Sequence, residues 1–268
     1  MDRVRDGVLR HRITGQLPGH QRIAVVSLNG GSGRTTVALG LGDVLAAERR
    51  EPVVALDAVP FRGSLAGFAG GRAPVNVMDL LANHGAYAVH GAPTPPAFRR
   101  ASGLSVLPSE SRPDARYILG ADGYRWLAEQ LLPQHFAITV TDTAAGLADP
   151  LTASVLSLAD LVVVTTTATA DSASAAHDAL LWMIRNGFGR LSRRAVLVVN
   201  AVREGDPGVP VPTLSSYFGP KVGAVVTVPW DRHLASGGPI DSAALDPATR
   251  TAYMTLGAAT MAALTRTK

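Results

Sequence analysis

Short apolar, β-branched runs alternate along this chain with stretches of helical periodicity. The first run, Gln21 to Val26, ends in a glycine-rich turn. From Thr35 the apolar residues Val37, Leu39, Leu41, Val44 and Leu45 recur at helical spacing as far as Arg49 and Arg50, whose charge suits a helix C-terminus. Glu51-Pro52 breaks that helix, and Val53 to Asp57 reads as a buried strand followed by the loop Ala58 to Leu65. Residues 66–103, interrupted by glycines and prolines, hold one short helix near Val77 to Leu81. The rhythm then resumes: a strand from Leu104 to Leu107, a helix from Asp122 to Leu132, and a β-rich run from Phe136 to Asp142. Strands at Leu161 to Thr165, Ala195 to Asn200 and Ala224 to Val228 follow. Between and after them lie a helix from Asp171 to Asn186, closed by Gly187, and another from Pro247 to Leu264.

Strands alternating with helices predict an α/β fold, a doubly wound and mostly parallel sheet covered on both faces. Residues 21–268 read as one domain, and residues 1–20, with mixed charge and no lasting period, as an N-terminal arm or short leading helix.

Composition narrows the class. Hydrophobic residues make up 47% and charged residues 17%, which describes a globular chain. The absence of cysteine excludes disulfide scaffolds and zinc-thiolate sites. No apolar run is long enough to span a membrane and no signal segment is visible, so a cytoplasmic protein is expected. The net charge of +4 lies in the termini: residues 1–22 and 250–268 each carry +3, leaving −2 for the body. Solvated tails explain this more simply than nucleic-acid binding, for which no recognition motif is present.

The glycine-rich turn brings in chemistry. Gly30, Gly31, Ser32 and Gly33 stand between a strand and a helix opened by Arg34, Thr35 and Thr36. Main-chain N–H groups in such a turn converge on phosphate, and the helix N-terminus adds partial positive charge. Thr35 supplies the hydroxyl that a phosphate loop offers to magnesium, but Arg34 stands where a lysine should reach the β- and γ-phosphates. A guanidinium is a wide planar fork and fits a tight loop badly. Asp57 and Asp142 are carboxylates at strand tips, and Asp142 occupies the place of a magnesium-associated acid. Other chemistries fail: the seven histidines show no zinc spacing, the fifth position of a nucleophile elbow is Arg34, and the third glycine of a dinucleotide fingerprint is missing. Trp126, Trp182 and Trp230 are expected to fill core or interface.

With these motifs in order, the chain from about Arg22 to Leu264 resembles the MinD/ParA family of deviant Walker-A ATPases, whose members read Lys-Gly-Gly-x-Gly-Lys-Thr-Thr where this chain has Asn29 to Thr36. The family's switch segment resembles Leu56 to Leu65, its Walker-B strand Ile138 to Gly146, and its adenine-reading strand Val198 to Arg203; Pro229-Trp230-Asp231 is similar to its base-flanking loop. The ending Asp231 to Gly238 is most like MinD-like proteins of actinobacterial type VII secretion systems. The resemblance implies a P-loop three-layer sandwich and a nucleotide site of Gly30 to Thr36, Asn200, Arg203, Pro229 and Asp231. It also implies magnesium at Thr35, Asp57 and Asp142.

Three departures fall on catalytic positions. Asn29 replaces the family's signature lysine, Arg34 the P-loop lysine, and Val59 a second carboxylate that orients water. The reading that follows is a degenerate member, binding ATP or ADP with Mg2+ weakly or not at all, with little or no hydrolysis. It would act as a homodimeric scaffold built partly on the helix from Asp171, with protein partners among type VII secretion components. The alternative is an active ATPase in which Arg34 substitutes for lysine, serving positioning or partitioning in association with DNA. A basic amphipathic C-terminal membrane helix is not expected, because Thr251 to Lys268 has few bulky apolar residues.

Overall fold

The computed structural model describes residues 2–60, 63–87, 94–112, 117–201 and 208–265. Eight strands form one sheet: β1 (Gln21–Val26), β2 (Val53–Ala58), β3 (Phe98–Arg99), β4 (Ser105–Leu107), β5 (Ile138–Thr143), β6 (Leu161–Thr167), β7 (Val196–Asn200) and β8 (Ala224–Val228). Their spatial order is β3-β4-β2-β5-β1-β6-β7-β8. Every pairing is parallel except that of β3 with β4. The chain starts in the middle, winds outward to one edge, returns to β5 and then winds to the other. The reversal lies around β1, and ligands in open α/β sheets lie at the carboxyl ends of strands beside such a point.

Period-two alternation explains why the sheet is buried on both sides. Ile23 and Val25 of β1 enter one core cluster, together with Val37, Leu41 and Leu256 from the covering helices. Ala24 and Val26 enter the other, with Leu127, Val155 and Leu180. The strands therefore read as unbroken apolar runs.

The expected helices are found at Arg34–Glu48, Val77–Ala82, Ala170–Arg185 and Pro247–Thr265. The helix expected from Asp122 instead runs as Ala121–Trp126, a π-helical turn Leu127–Leu131 and a last turn Leu132–His135. Pro133 lacks the N–H that would continue the regular ladder. Short helices at Leu65–Ala69, Gly189–Arg194 and Val211–Phe218 carried no periodic signal long enough to find. Trp126 and Trp182 are half-buried against the core.

The leading segment is the helix Asp2–Ile13, with Leu9 and Ile13 in the core beside Leu256 and Met261. Arg49 stands at the C-terminus of the helix Arg34–Glu48, as expected, and its side chain is buried, donating to the carbonyls of Ile13 at 2.6 Å and Gly15 at 2.8 Å. It thereby ties the leading helix to the end of the helix Arg34–Glu48.

Candidate functional site

Beyond β1 the chain turns through Ser27 to Gly33 into the helix Arg34–Glu48. Gly31 (φ 74°) and Gly33 (φ 84°) adopt the left-handed conformation that lets the loop curl. No side chain caps this helix and no acid lies in its first turn, so the helix start remains suited to an anion. Hydroxyls brace the loop from behind: Ser32 Oγ donates to Ser27 Oγ at 2.9 Å and lies 2.8 Å from Thr165 Oγ1 at the tip of β6. Neither Ser27 nor Thr165 stood out in the sequence, where only the clustering of threonines at the end of that strand could have pointed to it.

Arg34 folds back onto the loop instead of standing free. Its Nε donates to the Thr143 carbonyl at 3.0 Å, and Nη1 donates to the Asn29 carbonyl at 2.8 Å and to Ser27 Oγ. Burial lowers the pKa of the guanidinium, with the Asp142 charge opposing that shift. The wide fork is accommodated because it lies along the loop's base and bonds to protein oxygens.

Parallel register puts Asp57 on β2 directly beside Asp142 on β5. The Thr35 hydroxyl donates to Asp142 Oδ2 at 2.7 Å and lies 3.2 Å from Ser64 Oγ. The other oxygen, Asp142 Oδ1, is buried and has no hydrogen-bond partner among the described residues. Burial raises the Asp142 carboxyl to about 7, helped by the Asp57 charge, and burial raises Asp57 to about 6. Both Asp57 oxygens accept main-chain N–H groups, Val59 at 3.0 Å and Leu65 at 3.3 Å, so this acid shapes the switch turn. Gly63 passes so near that a Cβ there would stand 2.0 Å from Asp57 Oδ2. An orphaned carboxylate oxygen beside a threonine hydroxyl fits a divalent cation. Among the described residues no group of three or more acids or histidines could hold a metal alone, so ligand oxygens would have to complete its shell.

On the opposite side of the loop, a cavity of about 240 Å³ is lined by Gly31, Gly33, Thr36, Asn200, Pro229 and Asp231, with Phe68 and Trp230 in its wall. The structure thus brings together residues that lie far apart in sequence. Asn200 Nδ2 donates to the Ser32 carbonyl at 2.6 Å, and a Cβ on Gly33 would stand 2.8 Å from that nitrogen. Asp231 is a structural cap: Oδ1 accepts from His233 N and Leu234 N, and Oδ2 from Asp246 N. Gly30 is exposed on the loop. Arg203 lies outside the described residues, as do Phe61 and Arg62 of the switch segment. At the two other departures, Asn29 offers its carbonyl to Arg34 and Ser27, and Val59 offers only its main-chain N–H to Asp57.

No family profile matches the chain. It is 35% identical over 253 residues to the ESX-1 secretion-associated protein EspI of Mycobacterium tuberculosis, an alignment covering 94% of this chain and 38% of that protein. The chain therefore spans less than half the length of the curated relative it matches. Among solved structures, the ParA family ATPase from Chlorobium tepidum TLS superposes with a TM-score of 0.71 at 16% identity, covering 89% of this chain and 98% of that one. The cell division ATPase MinD of Pyrococcus furiosus gives 0.64 at 19% identity, with 90% and 98% covered. The septum site-determining protein MinD of Pyrococcus horikoshii OT3, complexed with Mg-ADP, gives 0.64 at 15% identity, with 89% and 94% covered. The fold is that of the ParA/MinD P-loop ATPases.

Proposed function

We propose that this chain is a MinD/ParA-like module that binds adenine nucleotide weakly through magnesium and turns it over little or not at all. In this reading it acts as a dimerising regulatory or scaffold protein of type VII secretion, on the cytoplasmic side. The observation that carries it is the side chain of Arg34, which bonds to Asn29, Ser27 and Thr143 of its own chain where a free cation would be needed for the terminal phosphates. Likeness to the secretion-associated EspI supports the pathway, and the ParA/MinD fold supports nucleotide and a second copy. Among the described residues, no helix is long and apolar enough to cross a membrane.

Each residue has a distinct part in this reading. The loop amides and helix start hold phosphate oxygens, while Thr35 and Asp142 hold magnesium, which neutralises phosphate charge when bound. Asn200, Phe68, Pro229 and Trp230 enclose the base once Asn200 leaves the Ser32 carbonyl. Phosphoryl transfer depends on positioning and charge stabilisation, and one lost charge contact costs roughly 10³-fold in rate. With Val59 unable to orient water and Asn29 unable to reach across a dimer, turnover falls to background.

Calorimetric titration with ATP and magnesium tests binding, and steady-state phosphate release tests turnover. A fitted heat with no turnover supports the proposal. Turnover that Asp142→Ala abolishes would instead establish an active ATPase.

A further inference from the structure

The two edges of the sheet differ. β3 is two residues long and antiparallel to its neighbour, a short edge that resists further pairing. β8 runs for five residues, Ala-Val-Val-Thr-Val, in unbroken register with β7, with no charge, no proline and no bulge. Ala224 N donates to the Ala195 carbonyl and the Val228 carbonyl accepts from Ala201 N, so residues 224, 226 and 228 aim their main-chain groups at β7. Val225 and Thr227 therefore aim theirs outward, and among the described residues neither bonds to a helix or loop.

The helix Pro247–Thr265 leaves a groove of about 520 Å³ beside this edge, walled by Val225, Val226 and Thr227 on one side and Ala248, Thr251 and Thr255 on the other. The helix residues are small and about one turn apart, which makes room for side chains standing off an added strand. Among the described residues, no charged side chain lines the groove. Three residues before β8 stands exposed Lys221, whose Nζ donates to the Tyr217 carbonyl at 2.6 Å and lies 3.7 Å from the Tyr217 ring; Arg193 is also exposed, and half-buried Arg194, whose carbonyl adjoins Gly223, donates to the Ala263 carbonyl. Residues 187–200 and 208–229 contain no acid at all.

We propose that this edge takes an extended, acidic-ended peptide segment of a partner protein by strand addition. The segment's main chain pairs antiparallel with Val225 and Thr227, its small or β-branched side chains enter the groove, and its C-terminal carboxylates face Lys221 and Arg193. Main-chain pairing supplies affinity, and the positive charge of Lys221 and Arg193 selects the acidic end. The edge works in this way whether or not the phosphate loop holds nucleotide.

The probe is a short fluorescent peptide of alternating valine and threonine ending in aspartates, titrated against the full chain by anisotropy. Saturable binding is expected, weakened about tenfold or more by N-methylation of the amides that face β8. Replacing the aspartates with lysines should weaken it further. Val225→Pro should match the N-methyl effect without unfolding the chain, since that N–H makes no bond to β7. If the variant proves unstable, the N-methylated probe on the unaltered chain decides alone. Silence at millimolar peptide, or indifference to N-methylation, overturns the proposal. So does a dimer in sedimentation that Val225→Pro dissolves, since a second copy then occupies the edge.

Discussion

Thr35 and Asp142 meet at 2.7 Å, hydroxyl to carboxylate, while the second Asp142 oxygen is buried and accepts from no described residue. Ligand-free, the pair is a poor arrangement, because a buried carboxylate lacks half of its partners.

The cost should appear as a pH dependence. Asp57 and Asp142 are raised to about 6 and about 7 from an ordinary 3.8, so the folded chain keeps protons that the unfolded chain has released. Unliganded stability is then greatest in acid and declines as pH rises from about 4 to about 7. Asp142→Asn should flatten that decline and, near pH 8, gain at least about 1 kcal/mol, or roughly 2–4 °C in melting temperature. The same variant should lose magnesium-dependent nucleotide binding. Thermal melts across pH, with and without Mg·ATP, check both outcomes.

Gly33 tests the loop itself. Its φ of 84° strains any L side chain, and an added Cβ would stand 2.8 Å from the Asn200 side chain, which would have to shift. Gly33→Ala should cost about 1–3 kcal/mol and abolish nucleotide binding. Chemical denaturation and calorimetry would show it, and unchanged affinity would mean that the loop is not the phosphate site.

Arg34→Lys separates binding from turnover. Lysine cannot reproduce the fork's bonds to Asn29, Ser27 and Thr143, so its ammonium is released toward the phosphates. Affinity for Mg·ATP should rise by about tenfold, while phosphate release stays at background because Val59 and Asn29 are unchanged.

Away from the loop, Asp43 and Arg100 form a buried ion pair at 2.8 Å. Arg100 also donates to the carbonyls of Ala69 and Ile240, and Asp43 accepts from Ser102 and Ser242. One pair thus joins the phosphate-loop helix to the helix Leu65–Ala69, whose Phe68 walls the base-side cavity. Arg100→Met should cost about 3–5 kcal/mol, and adding Asp43→Leu should recover much of it, since only the unpaired charge is strongly penalised. A double-mutant cycle in denaturant measures this.

The sheet and its phosphate loop were legible because β1, β2, β5, β6 and β7 are buried on both faces and carry β-branched runs, and because Gly30 to Gly33 follows one of them. The arrangement of the site was not. Asn200 meets the Ser32 carbonyl from 168 residues away, and Thr165 reaches Ser32 across 133. Such bonds leave no local period. Arg34 was legible as a departure, but not where its guanidinium would go, which depends on the tip of β5. The leading helix was obscured for another reason: its arginines and aspartates mask the one-turn spacing of Leu9 and Ile13.

Arg49 has a mechanical consequence. Its guanidinium grips the carbonyls where the leading helix ends, from the last turn of the helix that begins at the phosphate loop. Cutting the chain between Gly15 and Pro18 should therefore leave two fragments that travel together in gel filtration, and a tug applied to the first would be transmitted along a single rigid rod to the nucleotide cradle.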